Sequence, residues 1–428
     1  MGPGPTLETP PHAGALPVGT DGLPRAPARP AGKEKVVVLL VSRDTKSEEA
    51  EYLVRKMADL GLHVRVVNTA LKHQPRNADF TKLDLMKDSA DHAAEQIQKH
   101  IEAGARAIVG IGGGVGSWVA MNAMQTAPFG FPKIIISTLP FDPRDFVANS
   151  DIIVVPSVAD IMGLNPILRA VLRNAAAAVA GLANSPAANI LGDSTKPVVG
   201  ITALGVTSPA ATAIIKGLTR RGYETAAFHA NGYGGRSYER WVRQKAFSAV
   251  IDLTTHEITS LLFGSINATD PKRLCGAADI GIPQVVVPGG LDFLGRGPLQ
   301  LLDHAERKRA HYQQNVLFTH IRTSVTEMRA CATIMAERLN VATAPTRVVV
   351  PMLGFSAEGA GGAISDPDSD LAFLSTLRGK LRTDIPIFEV EAPINSEAFA
   401  SAVLAHFDAV SPISDRMLPA PYASAELG

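Results

Sequence analysis

The run VVVLLV, from Val36 to Val41, decides the fold class. Six consecutive apolar residues, four of them β-branched, are typical of a strand buried on both faces of a parallel sheet. Helical patterns alternate with further strand candidates after this run, and strands that alternate with helices predict βαβ units and a doubly wound sheet. These candidates are His63–Val67, Ala105–Ile111, Lys133–Ser137 and Asp151–Val155.

A second series of the same kind begins at PVVGITAL, Pro197 to Leu204. Its further strand candidates are Thr225–His229, Ala249–Leu253, Gln284–Val287, Arg347–Val350 and Ile385–Val390. Pro386 lacks a backbone donor, which places the last of them at an edge. The sequence therefore predicts an α/β protein with two Rossmann-like, mostly parallel subdomains, and a ligand cleft between them where the carboxyl edges of the sheets face each other.

Composition predicts the boundaries of these subdomains. The first thirty residues hold eight prolines and five glycines and show almost no apolar periodicity, which is typical of a disordered tail. We expect this tail over 1–34 and a second tail over 411–428. The segment SPAANILGDSTK is polar and broken by Pro and Gly, so we expect a linker over 185–196 between an N-terminal subdomain, 35–184, and a C-terminal subdomain, 197–410.

Charge and cysteine content exclude several classes of protein. The 428 residues carry 41 Lys and Arg against 41 Asp and Glu, so a basic nucleic-acid face is not expected. Cys275 and Cys331 lie far apart, which supports neither a disulfide framework nor a cysteine-rich metal site and favours the cytoplasm. The longest uncharged run, Ala107–Pro132, contains a glycine cluster and two prolines, so we interpret it as strand, loop and helix with no membrane span.

The segment SRDTKSEE, Ser42 to Glu49, follows the first strand and carries candidate ligand groups. Thr45 and Glu48 have the spacing of a capping box, which by itself predicts only the start of a helix. Asp44 and Lys46 flank that cap at the end of a buried strand, where a carboxylate could hold a metal ion and an ammonium a phosphate.

The sequence GIGGGVGS, Gly110 to Ser117, follows another strand and precedes an apolar helix. Glycines allow the backbone to approach a ligand closely, and the first amides of the helix point towards an anion. The motif lacks the Lys-Ser/Thr pair of a Walker A loop. It is therefore either an anion-binding loop or a tight turn.

The C-terminal half repeats this pattern. ALGVTSPA (Ala203–Ala210) and FHANGYGGRS (Phe228–Ser237) each join a strand to a helix, and the second ends in Arg236, a good anion clamp. Each of the two segments is either a simple turn or a ligand-binding site. DLTTHE (Asp252–Glu257) contains a second capping-box spacing, in which His256 is expected to be a solvated surface residue. The histidines lack the HExxH spacing of a zinc site.

Together these segments resemble the UPF0261 (Tm-1-like) family, from about Lys35 to Phe407. The resemblance is carried by ordered motifs: DTK (Asp44–Lys46), GIGGGVGS, PKIIIST (Pro132–Thr138), SDIIVVPSVADIMGLN (Ser150–Asn165), GVTSPA, FHANGYGGRSYE, DLTTHE, GIPQVVVPGGLDF (Gly281–Phe293), IRTSVTE (Ile321–Glu327) and SDPDSD (Ser365–Asp370). It implies two Rossmann-like subdomains, binding of ATP with Mg²⁺, and a homodimer.

The resemblance and the loops together predict the site residues. The cofactor-binding set is Asp44, Thr45, Lys46, Gly112, Gly113, Gly114, Gly116, Ser117, Thr138, Thr207, Gly232, Gly234, Gly235, Arg236 and Thr254. Lys46, Arg236 and Asp252 are the catalytic candidates, and Asp44 and Asp142 are the metal candidates. Asp292, Asn315 and Arg322 are further positions of the family motifs.

Two departures from the family pattern bear on the ligand. Val115 stands where the family's first glycine loop has a glycine, and its side chain restricts the backbone conformations that this position can adopt. The segment Leu139–Arg144, with two prolines and a phenylalanine, replaces a family loop of small residues.

The predicted function is an ATP-dependent ligase or phosphotransferase that acts on a small carboxylic metabolite, because phosphoryl chemistry requires mainly positioning and charge stabilisation. One alternative is a non-catalytic, nucleotide-responsive module that binds a protein partner. Another is a diverged relative whose small-molecule ligand is not ATP.

Overall fold

The computed structural model describes residues 34–71, 81–147, 150–185, 196–265 and 270–411. The chain divides into two compact units, Met1–Asp193 and Ser194–Gly428. Apart from Glu34, Ser185, Lys196 and Ser411, the predicted tails and linker lie outside the described residues. The ligand cleft predicted between the two subdomains stays a prediction.

The N-terminal unit contains one parallel sheet of five strands, with the spatial order β2-β1-β3-β4-β5. The strands are β1 (Lys35–Val41), β2 (Leu62–Asn68), β3 (Ala107–Gly112), β4 (Lys133–Ser137) and β5 (Ile153–Pro156). The residues from Val37 to Val41 are fully buried, as the apolar run predicts.

Helices cover both faces of this sheet. They are α1 (Ser47–Ala58), α2 (Lys82–Glu102), α3 (Gly114–Met124), α4 (Arg144–Val147) and α5 (Pro166–Asn184). Val37 and Leu39 pack in a core with residues of α1 and α5, whereas Val38 and Leu40 pack in a core with residues of α2 and α3. This alternation follows from the two-residue period of a strand.

The helix α5 is the one helix, within the described ranges, that is long and apolar enough by length and composition to cross a membrane. Its Leu168, Leu172, Ala176 and Val179 are buried and belong to the core that contains Val37 and Leu39. This packing is that of a helix on the face of an α/β sheet.

The C-terminal unit contains a parallel sheet of six strands and a smaller antiparallel sheet of three. In chain order the strands are β6 (Val198–Ala203), β7 (Glu224–His229), β8 (Ala249–Thr254), β9 (Gln284–Gly289), β10 (Phe293–Arg296), β11 (His311–Gln313), β12 (Thr319–Arg322), β13 (Thr346–Pro351) and β14 (Ile387–Val390). The large sheet has the order β14-β13-β9-β8-β6-β7, and the small one β10-β12-β11. Strand β14 is an edge strand, as Pro386 predicts, whereas the small sheet was not predicted from the sequence.

Helices also cover both faces of the six-stranded sheet. They are α6 (Ser208–Arg220), α7 (Tyr233–Arg243), α8 (Glu257–Phe263), α9 (Gly276–Ile280), α10 (His304–Lys308), α11 (Val325–Leu339), α12 (Pro367–Lys380) and α13 (Glu397–Val410). One core joins α6 and α13 to the sheet, and another joins α11 and α12 to it. The prediction of two Rossmann-like subdomains is confirmed.

Each large sheet has one point at which the chain reverses its direction of travel across the strands. In the N-terminal unit, β2 lies on one side of β1 and β3 on the other; in the C-terminal unit, β7 and β8 flank β6 in the same way. At such a point the loops after two neighbouring strands lead to opposite faces of the sheet; here these strands are β1 and β3, and β6 and β8. The loops leave a crevice outside the carboxyl ends of the strands, where open α/β sheets bind ligands.

Candidate functional site

The structure brings the predicted residues of the N-terminal unit to this crevice. Asp44, Thr45 and Lys46 follow β1, and the glycine turn Gly112–Ser117 follows β3, the strand next to β1. Thr138 follows β4, the next strand along. The three predicted segments therefore lie at the carboxyl edge of one sheet.

The glycine turn is tightly closed. A Cβ on Gly112 would lie 2.7 Å from the carbonyl carbon of Gly116, so only glycine fits there. The Ser117 hydroxyl is fully buried, donates to the Gly112 carbonyl at 2.8 Å and lies 2.7 Å from the hydroxyl oxygen of Ser137. Ser117, predicted to bind the cofactor, is thus used to hold the turn on the end of β4.

The helix α3 begins within this turn, at Gly114. Across the described residues no side chain caps α3, and its first turn contains no acidic residue. Gly113 is the N-cap and Gly114 is exposed. The first amides of a helix have no intrahelical partner and carry partial positive charge, so they favour a negatively charged group.

The loop after β1 differs in detail from its prediction. The capping box of Thr45 and Glu48 is wrong, because α1 begins at Ser47 with Lys46 as its N-cap and without a side-chain cap. Asp44 and Thr45 are exposed, whereas Lys46 is half-buried and its ammonium donates to the carbonyl of Ile161. Lys46 retains two further donors for a ligand.

The segment after β4 lies against the glycine turn. Pro140 Cγ would be 3.7 Å from a Cβ on Gly114, and the Thr138 hydroxyl oxygen would be 3.9 Å from one on Gly113. Leu139 has a φ of 51°, an uncommon conformation for a bulky residue. Thr138 also lines a cavity of about 270 Å³ together with Ser137, with Pro156 at the end of β5 and with the residues that follow it, Ser157, Val158, Ala159 and Asp160.

The metal candidates do not form a complete cation site by themselves. The Asp142 carboxylate accepts from Arg144 Nε at 2.9 and 2.7 Å, and these hydrogen bonds lower the pKa of Asp142. In the described part of the chain, no group of three or more His, Cys, Asp or Glu side chains is placed to hold a metal ion. A Mg²⁺ ion here would need phosphate oxygens and water as additional ligands, which is its usual coordination in nucleotide sites.

In the C-terminal unit, the predicted residues Thr207 and Thr254 lie where the loops after β6 and β8 meet. Both are fully buried, and their hydroxyl oxygens are 2.8 Å apart. The second capping box is therefore wrong, since α8 has His256 as its N-cap without a side-chain cap and Thr254 is bonded elsewhere. His256 is buried and not solvated, because its ring stacks on Phe293 at 4.2 Å.

The dominant charge of this unit is Arg273, which the sequence analysis did not identify. Its guanidinium is fully buried and donates to both carboxylate oxygens of Asp252 at 2.5 and 2.6 Å. It also donates to the Glu257 carboxylate and, at 3.4 Å, to that of Glu239. Asp252, predicted to be catalytic, is 2% exposed and accepts a further bond from Thr202 at 2.7 Å, so it is part of a satisfied internal network.

Glu257 connects this network to the glycine turn before α7. Its carboxylate accepts from the amides of Gly232 and Gly235. A Cβ on Gly235 would lie 1.9 Å from the same carboxylate, and one on Gly234 would lie 2.0 Å from the His229 carbonyl oxygen. A phosphate at this helix start would therefore have to displace Glu257. Arg236 lies in the first turn of α7 and is partly exposed.

The sequence contained a signal for Arg273, although not a local one. Glu239, Asp252 and Glu257 all stand among residues that become buried, and buried carboxylates require a cation or hydrogen-bond donors. The residue that supplies them follows Asp252 by 21 positions, so no short motif contains the pair.

Replacing Arg273 tests this network. We expect Arg273→Met to lower the free energy of unfolding by about 3–5 kcal/mol, because Asp252 and Glu257 lose their cation and Glu239 retains only Arg243. Urea unfolding measures this loss. The control is Arg221→Met, which breaks a surface ion pair with Asp408 and should lower the free energy of unfolding by about 1 kcal/mol or less. Arg273 lowers the pKa of Glu239, so its removal should raise that pKa further, and the deficit of Arg273→Met should be larger at pH 8 than at pH 5. Equal losses in the two variants would contradict this assignment.

A second pair of variants tests the glycine turn. Gly112→Ala should lower the free energy of unfolding by about 1–3 kcal/mol, because its Cβ would collide with backbone atoms that cannot move aside. Gly113→Ala meets only ordinary contacts and should change it by about 0.5 kcal/mol or less. Thermal unfolding of both variants provides the comparison, and the reverse order would show that the turn is not closed in this way.

The fold and these loops define a class: a two-unit α/β protein with switch-point crevices at its sheet edges. Comparison with known sequences shows the family. Residues 82–188 match the N-terminal domain of Uncharacterised protein family (UPF0261), and residues 196–411 match its C-terminal domain. The chain belongs to the UPF0261 family.

Curated relatives agree with this membership. A UPF0261 protein of Clostridium tetani is 32% identical over 394 residues, which cover 86% of this chain and 97% of the relative. One from Mesorhizobium japonicum is 33% identical over 396 residues, covering 87% and 99%. The ToMV resistance protein Tm-1 of Solanum lycopersicum is 34% identical over 316 residues, covering 72% of this chain but 42% of the tomato protein.

Proposed function

We propose that this protein binds ATP with Mg²⁺, or a related phosphate ligand, at the start of α3 and uses it as an ATP-dependent enzyme on a small carboxylic metabolite. The observation that carries the proposal is the uncapped start of α3. It lies at the switch point of the sheet, beside the loop that contains Lys46. A helix start of this kind favours phosphate.

Different residues of the N-terminal unit would bind the phosphate and the Mg²⁺ ion, according to their chemistry. Backbone amides of the turn from Gly113 to Gly116 would donate hydrogen bonds to the phosphate oxygens, and the Lys46 ammonium would neutralise part of the phosphate charge. Asp44 is exposed and able to hold Mg²⁺ together with phosphate oxygens, whereas Asp142 would first have to leave Arg144. ATP would supply the phosphoryl group that activates the acid.

The corresponding glycine turn of the C-terminal unit is less suitable for a phosphate, which favours α3 as the site. Its glycine turn before α7 already holds the carboxylate of Glu257, and the predicted catalytic residue Asp252 is paired with Arg273. Occupied amides have no capacity left for a ligand phosphate. The proposal therefore assigns the phosphate to α3 and leaves Arg236 as the catalytic candidate of this unit.

A charge placed on Gly114 tests the proposal. Gly114→Glu would put a carboxylate at the start of α3. This carboxylate stabilises the helix through its dipole, so the fold should be kept. It also repels a phosphate, so the affinity for Mg-ATP should fall by about tenfold or more. Gly114→Gln is the matched neutral control and should fall much less. Isothermal titration calorimetry measures both affinities, and thermal unfolding checks the fold. Equal affinities for Mg-ATP in the two variants would refute phosphate binding at α3.

Turnover separates the enzyme from a nucleotide-responsive module. We expect the wild-type protein to form ADP or AMP from Mg-ATP when a panel of small carboxylic acids is supplied, and Lys46→Met to reduce this rate by about tenfold or more, since it removes the ammonium that neutralises phosphate charge. Chromatography of the nucleotides measures the rate. Binding of Mg-ATP without product in any mixture would favour the module.

One observation favours the diverged relative as a second candidate. Pro140 packs beside Gly114, and Leu139 adopts a positive φ, so the segment after β4 narrows the space at the turn. If ATP has been abandoned for this reason, replacing Leu139 by Gly and Pro140 by Ala should create Mg-ATP binding that the wild-type protein lacks. Strong binding by the wild-type protein would exclude this candidate.

A further inference from the structure

A second polar cluster lies in the C-terminal unit, at Asp292, His320, Arg322 and Glu358. Each of these residues has one buried side-chain atom without a hydrogen-bond partner: Asp292 Oδ1, His320 Nδ1, Arg322 Nε and Glu358 Oε2. The described residues contain eight such atoms in all, so four belong to this cluster. Buried polar atoms are normally bonded, and an exception requires an explanation.

The cluster is assembled from three separate loops and strands. Asp292 follows β9 at the carboxyl edge of the large sheet, His320 lies on β12, and Glu358 lies in the loop after β13. Ser356 of that loop donates to Asp292 Oδ2 at 2.7 Å. The Glu358 Oε1 atom is 4.0 Å from His320 Nδ1, too far for a hydrogen bond.

The surrounding residues hold these groups in position. The His320 ring stacks on Phe293 at 4.1 Å, and the opposite face of Phe293 stacks on His256. His256 Nδ1 is fixed at 2.9 Å from the Gly290 carbonyl oxygen. A Cβ on Gly359 would lie 2.0 Å from Asp292 Oδ2, so the backbone there approaches the carboxyl group directly. Such preorganisation is typical of binding sites.

The electrostatics of the cluster reflect its burial. Burial and the neighbouring Asp370 together raise the pKa of Asp292 to about 7, against the opposing effects of Arg322 and the Ser356 hydrogen bond. Burial also raises the pKa of Glu358 and lowers the pKa of His320 to about 4. Near neutral pH His320 is therefore uncharged. The Arg322 guanidinium directs its hydrogen bonds elsewhere: it donates to the Asp370 carboxylate at 2.6 Å and to the main-chain carbonyl of Asp292 at 3.3 Å.

We propose that Asp292, His320 and Glu358 form a second ligand site, for a small molecule that donates several hydrogen bonds through hydroxyl or ammonium groups. Among the four open atoms, two are carboxyl oxygens and one is an imidazole nitrogen that accepts or donates according to its tautomer, whereas Arg322 Nε is the one obligatory donor. A guest rich in donors would satisfy them together. The site lies in the C-terminal unit and does not depend on phosphate binding at α3.

Titration calorimetry on the full chain tests the site with two sets of probes. Sorbitol and glucose supply hydroxyl groups, and putrescine and ethanolamine supply ammonium groups, each up to about 10 mM, which covers weak millimolar binding. We expect one set to bind and to lose at least about tenfold in affinity in Asp292→Asn and in Glu358→Gln. Glu397→Gln, which changes a carboxylate in the first turn of α13, is the control and should bind as the wild-type protein does.

The pH dependence distinguishes a ligand contact from a structural role. An ionised Asp292 accepts hydrogen bonds better than a protonated one, so affinity should rise between about pH 6 and pH 8 in the wild-type protein and stay flat in Asp292→Asn. The groups facing this carboxyl, Asp370, Arg322, Glu358 and His320, are unchanged in the variant. Failure of both probe sets, or the same pH profile in the two proteins, would overturn the proposal and leave a cluster that binds only ordered water.

Discussion

The buried guanidinium of Arg273 is the interaction on which the C-terminal unit depends. It neutralises carboxylates from three separate elements, α7, β8 and α8, inside a region from which water is excluded. Without that cation, the buried carboxylates of Asp252 and Glu257 would lose their counter-charge, at a large cost in stability. One residue therefore determines both the packing of this unit and the unsuitability of its glycine turn for a phosphate.

The same physical requirement leads to opposite outcomes at two helix starts. Exposed amides at the beginning of a helix favour an anion, and at α7 the protein supplies one from its own chain, Glu257. At α3 the N-cap is a glycine without a side chain, and the first turn of the helix contains no acidic residue. Sequence patterns of glycine after a strand look alike in both places, but only the second leaves donors for a guest. This difference is the basis for the proposed function.

Much of the fold could be predicted from the sequence, because β-branched runs such as Val36–Val41 have few environments other than the middle of a parallel sheet. The position of the glycine turns at strand ends was predictable for the same reason. The two Thr-x-x-Glu patterns were misleading, since Glu257 is held by Arg273 and Thr254 by Thr207, partners far away in the sequence. The role of Asp292 and His320 depends on a small sheet whose three- and four-residue strands carry little periodic signal.

The most direct test of this account is a crystal structure of the protein with Mg²⁺ and a non-hydrolysable ATP analogue. We expect phosphate density at the start of α3, within hydrogen-bonding distance of the amides that follow Gly113, while Glu257 remains on the amides of Gly232 and Gly235. Phosphate density at the start of α7, with Glu257 displaced, would contradict it.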